Sequence, residues 1–260
     1  MIQFKSQIKM LVYINPYYKT MTVENTTAFS LQTREMFTSI APRYDFLNRL
    51  LSVGQDKYWR QRAIDLLDPM GNERILDVAT GTGDMVIEVA KRNLSVQIFG
   101  IDFSQRMLDL GRIKIAQRGY NQAVSLQIGS GECLPFADES FDGVICAFGI
   151  RNFADVQLGL REFFRVLKPG GRVVVLEFSI PQNQFLKTAY EWYFNLILPK
   201  IGNIISGHSN AYSYLPESVA NFPSQKKFIK WIEKIGFKKV SFSELTFGIV
   251  SIHRGYKVSE

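Results

Sequence analysis

Apolar residues along this chain fall into two alternating rhythms. Short, nearly unbroken runs occur at Arg74–Val78, Val96–Ile101, Ser125–Ile128, Gly143–Ala147 and Arg172–Phe178. Their length and β-branched content predict buried strands. Between them, apolar positions recur at helical spacing over Met85–Arg92, Ser104–Gln117 and Gln157–Leu167. Ser104 suits the N-cap of the second helix, and Lys168-Pro-Gly-Gly171 stops the third. Strand and helix in alternation predict an α/β domain with a parallel sheet and helices on both faces. Two last runs, Lys239–Leu245 and Phe247–Gly255, predict a hairpin that completes a sheet of about seven strands. Ligands of such sheets bind at the carboxyl ends of the strands, where Asp77, Asp102, Ser130 and Ala147 all fall.

Two regions break the rhythm. Residues 26–70 read as helices ahead of the first strand. Residues 180–223 form an aromatic-rich insertion after the fifth, read as a helical cap. In Tyr190–Leu198 apolar residues surround nearly the whole helix, which points to burial or to a greasy ligand. The organisation expected is one domain over 26–258, preceded by a loose extension, 1–25, in which Met21 is an alternative start. No run of about 18 apolar residues predicts a membrane span. Met10–Ile14 lacks the cleavage site of a signal peptide. Cys133 and Cys146 make neither a disulfide framework nor a metal cluster, so no metal and a cytoplasmic setting are expected.

The candidate chemistry begins at Asp77-Val-Ala-Thr-Gly-Thr-Gly-Asp84. Gly81 and Gly83 let the backbone bend and lie against a ligand. Asp102 ends the next strand 19 residues after Gly83, near the offset at which an acid accepts hydrogen bonds from ribose hydroxyls. A dinucleotide loop would carry a third glycine, but Asp84, Met85 and Val86 follow Gly83. Asp77 and Asp84 would repel a pyrophosphate. A cation with a ribose and no phosphate fits better, so the loop reads as a site for S-adenosylmethionine and the domain as a Rossmann-like, class I methyltransferase. An oxidoreductase using a nicotinamide dinucleotide is disfavoured.

The net charge is +7. Part of it lies in Lys226, Lys227, Lys230, Lys234, Lys238 and Lys239. That stretch is either a solvated face or a surface for anionic lipid. No interleaving of aromatic and basic residues suggests nucleic acid. Asn15-Pro-Tyr-Tyr18 resembles a tetrapeptide of nucleic-acid amino-methyltransferases, but it precedes the whole domain and reads as coincidence.

Further segments carry a family resemblance. Arg165–Ser179 resembles the second signature of the menaquinone/ubiquinone C-methyltransferases, the UbiE/MenG family. Tyr44-Asp-Phe-Leu-Asn48, with Ser52 and Trp59, resembles the first, departing from it at Leu47, where methionine is usual, and at Asp56, where histidine is usual. Phe148–Phe153 and Ile252–Lys257 also resemble that family, so the likeness covers roughly residues 34–258. It implies methyl transfer from S-adenosylmethionine to a ring carbon of a prenylated quinol, demethylmenaquinol or a ubiquinone precursor, and a homodimer. By position it implies cofactor contacts at Thr82, Asp102, Ser130 and Gly131. Ala147 stands where serine is often found.

Such chemistry needs a phenolate, whose charge makes the ortho ring carbon nucleophilic. A guanidinium stays charged and donates in a fork, so Arg151 is assigned to the phenolate, with a structural salt bridge as its alternative. A water between Asp102 and Arg151, suggested by the resemblance, would serve as base. His208 and His253 read as structural. Tyr44 is placed over the sulfonium, or simply packs between helices. Tyr190, Tyr193 and Tyr212, with Tyr214 and Phe222, would line the quinol site or form a cap core. A non-catalytic, cofactor-binding member of a quinone-synthesis assembly is the reading from another class.

Overall fold

The computed structural model describes residues 23–93, 95–193 and 210–259. Seven strands form one sheet: β1 (Arg74–Val78), β2 (Gln97–Asp102), β3 (Val124–Ile128), β4 (Phe141–Ala147), β5 (Leu167–Phe178), β6 (Lys238–Leu245) and β7 (Val250–Tyr256). Their spatial order is β3-β2-β1-β4-β5-β7-β6. The first five are mutually parallel; β7 runs antiparallel beside β5, and β6 antiparallel beside β7. The expected hairpin therefore forms, and it makes the sheet mixed. Strand order reverses between β1 and β4, which opens a crevice at their carboxyl ends.

Successive strand residues point to opposite faces, and the core divides accordingly. Ile75 packs with Trp59, Ile64, Val86 and Ile98 on one face, under α2 (Gln55–Leu67) and α3 (Asp84–Arg92). Leu76 packs with Phe141, Phe163, Phe228 and Ile232 on the other, under α5 (Val156–Val166) and α8 (Gln225–Ile235). Between them in sequence, α4 spans Gln105–Gln117, and Ser104 caps it by accepting a hydrogen bond from Met107 N. Among the described residues, no helix is long and apolar enough to cross a membrane.

Ahead of the sheet lies α1, Val23–Leu51. It starts three residues inside the stretch expected to be a loose extension and runs on through Pro42. After β5 come α6 (Gln184–Trp192) and α7 (Asn210–Asn221). Tyr190 and Val219 from this insertion pack on Leu47 and Ile40 of α1, forming a small third core. Phe194–Leu198, His208 and the side chain of Tyr212 lie outside the described residues, as does Asn15–Tyr18.

Candidate functional site

β1 ends in a loop whose residues Ala79, Gly81 and Gly83 have φ of 58°, 56° and 83°. That left-handed turn is open to glycine without a Cβ penalty. Asp102 fastens it: Gly81 N donates to Oδ2 at 2.9 Å, and Ser104 N donates to Oδ1 at 2.8 Å. Each oxygen keeps a second acceptor position. Burial raises the carboxyl pKa to about 6, against these hydrogen bonds, so at pH 7 it is largely the ionised acceptor.

Beside this loop lies a cavity of about 230 Å³. Gly81, Asp102, Ser130, Gly131 and Tyr44 all line it, as does Ala147. Asp77, Thr82 and Gly83 do not. Asp77 is fully buried beneath the loop. One of its oxygens accepts from Thr80 Oγ1 at 2.5 Å, and the other has no partner. Burial pushes its pKa up to about 7. Thr82 turns away, donating to Asp45 Oδ1 at 2.6 Å and accepting from Lys114 Nζ at 2.9 Å. The sequence predicted these three because they stand in or beside the glycine loop; it does not reveal which way the side chains of Asp77 and Thr82 turn.

A second cavity, of about 400 Å³, is walled by apolar side chains that include Leu47, Trp59, Phe178, Tyr190, Tyr193 and Leu215. Phe37, Tyr44 and Phe148 line both cavities and form the partition between them. Phe148 holds φ 57°, a conformation bulky residues seldom adopt and one often kept at functional sites. Desolvation raises the Tyr44 hydroxyl pKa, so it stays protonated at neutral pH. Tyr193 donates to Leu51 O at 2.9 Å and Tyr214 to Asn152 Oδ1 at 2.9 Å, tying the cap to α1 and to the turn after β4.

Arg151 sits on that turn and lines the larger cavity. Its Nη1 donates to Glu177 Oε1 and to Phe148 O, both at 2.7 Å, and its Nε to Ser218 Oγ at 3.3 Å. Nη2 has no partner among the described residues. The salt bridge weighed as an alternative for Arg151 thus exists, and it leaves one end of the fork free. Glu177 is wholly buried; desolvation pushes its carboxyl upward, while Arg151 favours the charged form. The glutamate was missed in the sequence, although an acid inside the run Val173–Phe178 was a signal for it. Arg151 and Asp102 line different cavities, with Tyr44 and Phe148 on the wall between, so the geometry does not bring the two together as expected.

Asp56, which replaces the usual histidine, is buried. It accepts from Arg49 Nη1 at 2.8 Å, Ser52 Oγ at 3.0 Å and Arg60 Nη1 at 3.3 Å. The position therefore serves as an ion-pair centre. Neither Arg60 nor Glu132, which lines the smaller cavity, was singled out from the sequence. Among the described residues no cluster of His, Cys, Asp and Glu is arranged to hold a metal. His253 is buried between Phe228 and Phe242, and burial lowers its pKa to about 4.

A glycine loop and acid-ended strand beside an apolar, arginine-bearing cavity define a methyltransferase site on a doubly wound sheet. The chain belongs to the ubiE/COQ5 methyltransferase family, whose model matches residues 22–257. It is 51% identical over 225 residues to the ubiquinone/menaquinone biosynthesis C-methyltransferase of Geotalea daltonii, covering 86% of this chain and 95% of that one. It is 46% identical to the demethylmenaquinone methyltransferase of Deinococcus radiodurans, over 86% and 92% of the two chains. In fold it resembles the structure of an S-adenosylmethionine-dependent methyltransferase from Thermotoga maritima, with a TM-score of 0.60, 22% identity, and coverage of 86% and 99%.

Proposed function

We propose that this enzyme uses S-adenosylmethionine to methylate a ring carbon of demethylmenaquinol, with Arg151 holding the reacting phenolate. The observation that carries this reading is the shared wall. A polar cavity with ribose acceptors and an apolar cavity with a buried guanidinium meet at Phe37, Tyr44 and Phe148. The cofactor, when bound, supplies an electrophilic methyl group on a sulfonium. The smaller cavity suits it: Asp102 offers oxygens to ribose hydroxyls, and among the described residues of the lining two acids, Asp102 and Glu132, outnumber one cation, Arg34, as befits a ligand of net positive charge. Ser130 and Gly131 would flank the adenine. Gly81 lets the loop approach closely.

In the larger cavity, Nη2 of Arg151 donates to the phenol oxygen and favours its anion. The phenolic proton passes to solvent water and charge spreads to the ortho carbon; that carbon would take the methyl group as the sulfonium–methyl bond breaks, and the ring proton would then pass to water as well. Glu177 keeps the guanidinium in one orientation. Because this glutamate neutralises much of its charge, Arg151 acts as an aimed donor more than as a free cation. Tyr44 and Phe148 keep water from the line of attack. Tyr190 and Tyr193 line the path for the quinol and its tail. Asp102 is better suited to the ribose than to a proton relay, because it lies on the cofactor side of the wall. The cavity mouth meets the membrane surface in which a prenylated quinol resides.

Purified protein, labelled S-adenosylmethionine and chemically reduced demethylmenaquinone provide the test. Arg151→Ala should lower kcat by about 100-fold while leaving cofactor affinity within about threefold. A large loss of cofactor affinity would refute the division of labour between the cavities. Running a ubiquinone precursor in parallel tells the two quinone acceptors apart, a choice kept open by the double name of the Geotalea relative. Binding of the cofactor without any methylated quinone would instead favour a non-catalytic role.

A further inference from the structure

Two arginines, not one, face the larger cavity. Among the described residues, Arg60 and Arg151 are the cations of its wall, amid side chains that are otherwise mostly apolar. They stand beside adjoining rings: the Arg60 guanidinium lies 5.6 Å from the centre of Phe148, and that of Arg151 lies 5.4 Å from Phe178. Those two rings are 4.7 Å apart. Both cations are near enough to the Tyr44 hydroxyl to act on it electrostatically.

Arg60 is also poorly satisfied for a buried guanidinium. It is 8% exposed. Its contacts are long: 3.3 Å to Asp56 Oδ2, 3.4 Å to Asp56 O and 3.7 Å to Asp84 Oδ2. Charge-assisted bonds between such groups ordinarily run about 2.7–2.9 Å. Its Nε is buried with no partner. Arg161 and Arg254 share the unpartnered Nε, but they line neither cavity; Arg165, by contrast, reaches Glu162, Asp138 and two carbonyls at 2.8–3.0 Å. Leaving a buried charged donor short of acceptors is costly, and Arg60 is also one of the residues that line the cavity.

We infer that Arg60 recognises the second oxygen of the acceptor, the one across the ring from the oxygen held by Arg151. This inference rests on the quinol reading above. A quinol carries two oxygens in para positions, and only one lies beside the carbon that gains the methyl group. Arg151 acts on that one. Arg60, next to the neighbouring ring of the same aromatic wall, supplies N–H groups for the other. A guanidinium does this better than lysine because it donates in a plane that matches a flat ring. The pair makes the site selective for 1,4-diols over single phenols and fixes which carbon faces the cofactor. Arg60 is thus a positioning and specificity residue.

Two acceptors test this under anaerobic, reducing conditions with the full-length protein. One is a short-tailed prenyl naphthohydroquinone. The other is its analogue that keeps only the hydroxyl beside the acceptor carbon. Wild type should favour the diol in kcat/KM by about tenfold or more. In Arg60→Met that preference should shrink to about twofold or less, and Arg60→Lys should restore part of it. Cofactor affinity and thermal midpoint are read for each variant, since Asp56 keeps Arg49 as a partner when Arg60 is lost. A purely structural role would lower both acceptors together and leave their ratio intact. A retained ratio in Arg60→Met, or a wild-type ratio near one, overturns the assignment. If the Met variant does not fold, Arg60→Lys decides: an unaltered ratio there also overturns it. Failure of wild type to methylate either acceptor removes the quinol reading itself.

Discussion

Burying Asp77 with one oxygen bonded to Thr80 and the other unpartnered works against folding. Its carboxyl is raised from 3.8 to about 7 by desolvation, more than Thr80 and Arg60 lower it. The folded state therefore binds this proton more tightly than the unfolded state. Stability should fall as pH rises from about 4 to 7 and stay low above that. Asp77→Asn removes this dependence, so its thermal midpoint should exceed wild type by a few degrees at pH 8 and match it near pH 4. Thermal melts across that range check this; a variant less stable at pH 8 would show that the charge is compensated. Individual residues were legible where they interrupt a pattern. Gly81, Gly83 and Asp102 stand out because they end apolar runs, and Arg151 because it follows one. Whether a side chain faces the ligand was not legible, because it depends on partners far along the chain. Asp45 draws Thr82 aside across 37 positions.

At the scale of elements, the regular core was readable because strands there are bounded by polar residues. β1 falls where the apolar run predicts it, and Ser104 caps α4. The N-terminal region was legible only as helices of unstated extent. Pro42 would ordinarily interrupt a helix, yet α1 continues through it because packing on α4 and α7 supports its length. That helix carries Phe37 and Tyr44, so its seating controls both cavities. The fastening is ionic: Lys114 of α4 reaches Asp45 of α1 at 2.6 Å and Asp84 of α3 at 2.7 Å. The lysine is mostly sheltered, so the cluster should outlast moderate salt better than a surface pair. Lys114→Met should loosen α1 without melting the sheet. Amide hydrogen exchange over residues 36–48 should quicken, and the cofactor should dissociate about five- to tenfold faster. Unchanged exchange in that segment would show that apolar packing alone holds the helix.

Over the whole molecule, charge and exposed apolar surface nominate different faces. The lysines from Lys226 to Lys239 are exposed on α8 and the start of β6, elements that pack on α5 and β7 and line neither cavity. We propose that the larger cavity opens elsewhere, between Val53 and Phe247. Both line it, yet they are 83% and 78% exposed. Both also hold left-handed backbone, with φ of 51° and 59°, which a β-branched or aromatic residue adopts at a cost. Strain and wetting together disfavour this arrangement in water, and insertion into lipid removes the second penalty. Phe46 and Leu50 of α1, a few positions before Val53, are exposed, as is Phe185 of α6. Lys57 adds an exposed cation four positions after Val53, while the acids of residues 43–58, Asp45 and Asp56, are both paired with cations. We propose that this mouth is the surface that receives a prenylated substrate, with the lysine face contributing only long-range attraction. Val53→Asp with Phe247→Asp should reduce flotation with anionic vesicles and cut turnover of a long-tailed quinol about tenfold, leaving a short-tailed one nearly unaffected. Charge reversal at Lys226, Lys227 and Lys230 should weaken flotation at low salt alone, without that dependence on tail length. If the lysine variant loses long-tail turnover and the mouth variant does not, the membrane-facing surface is the lysine face.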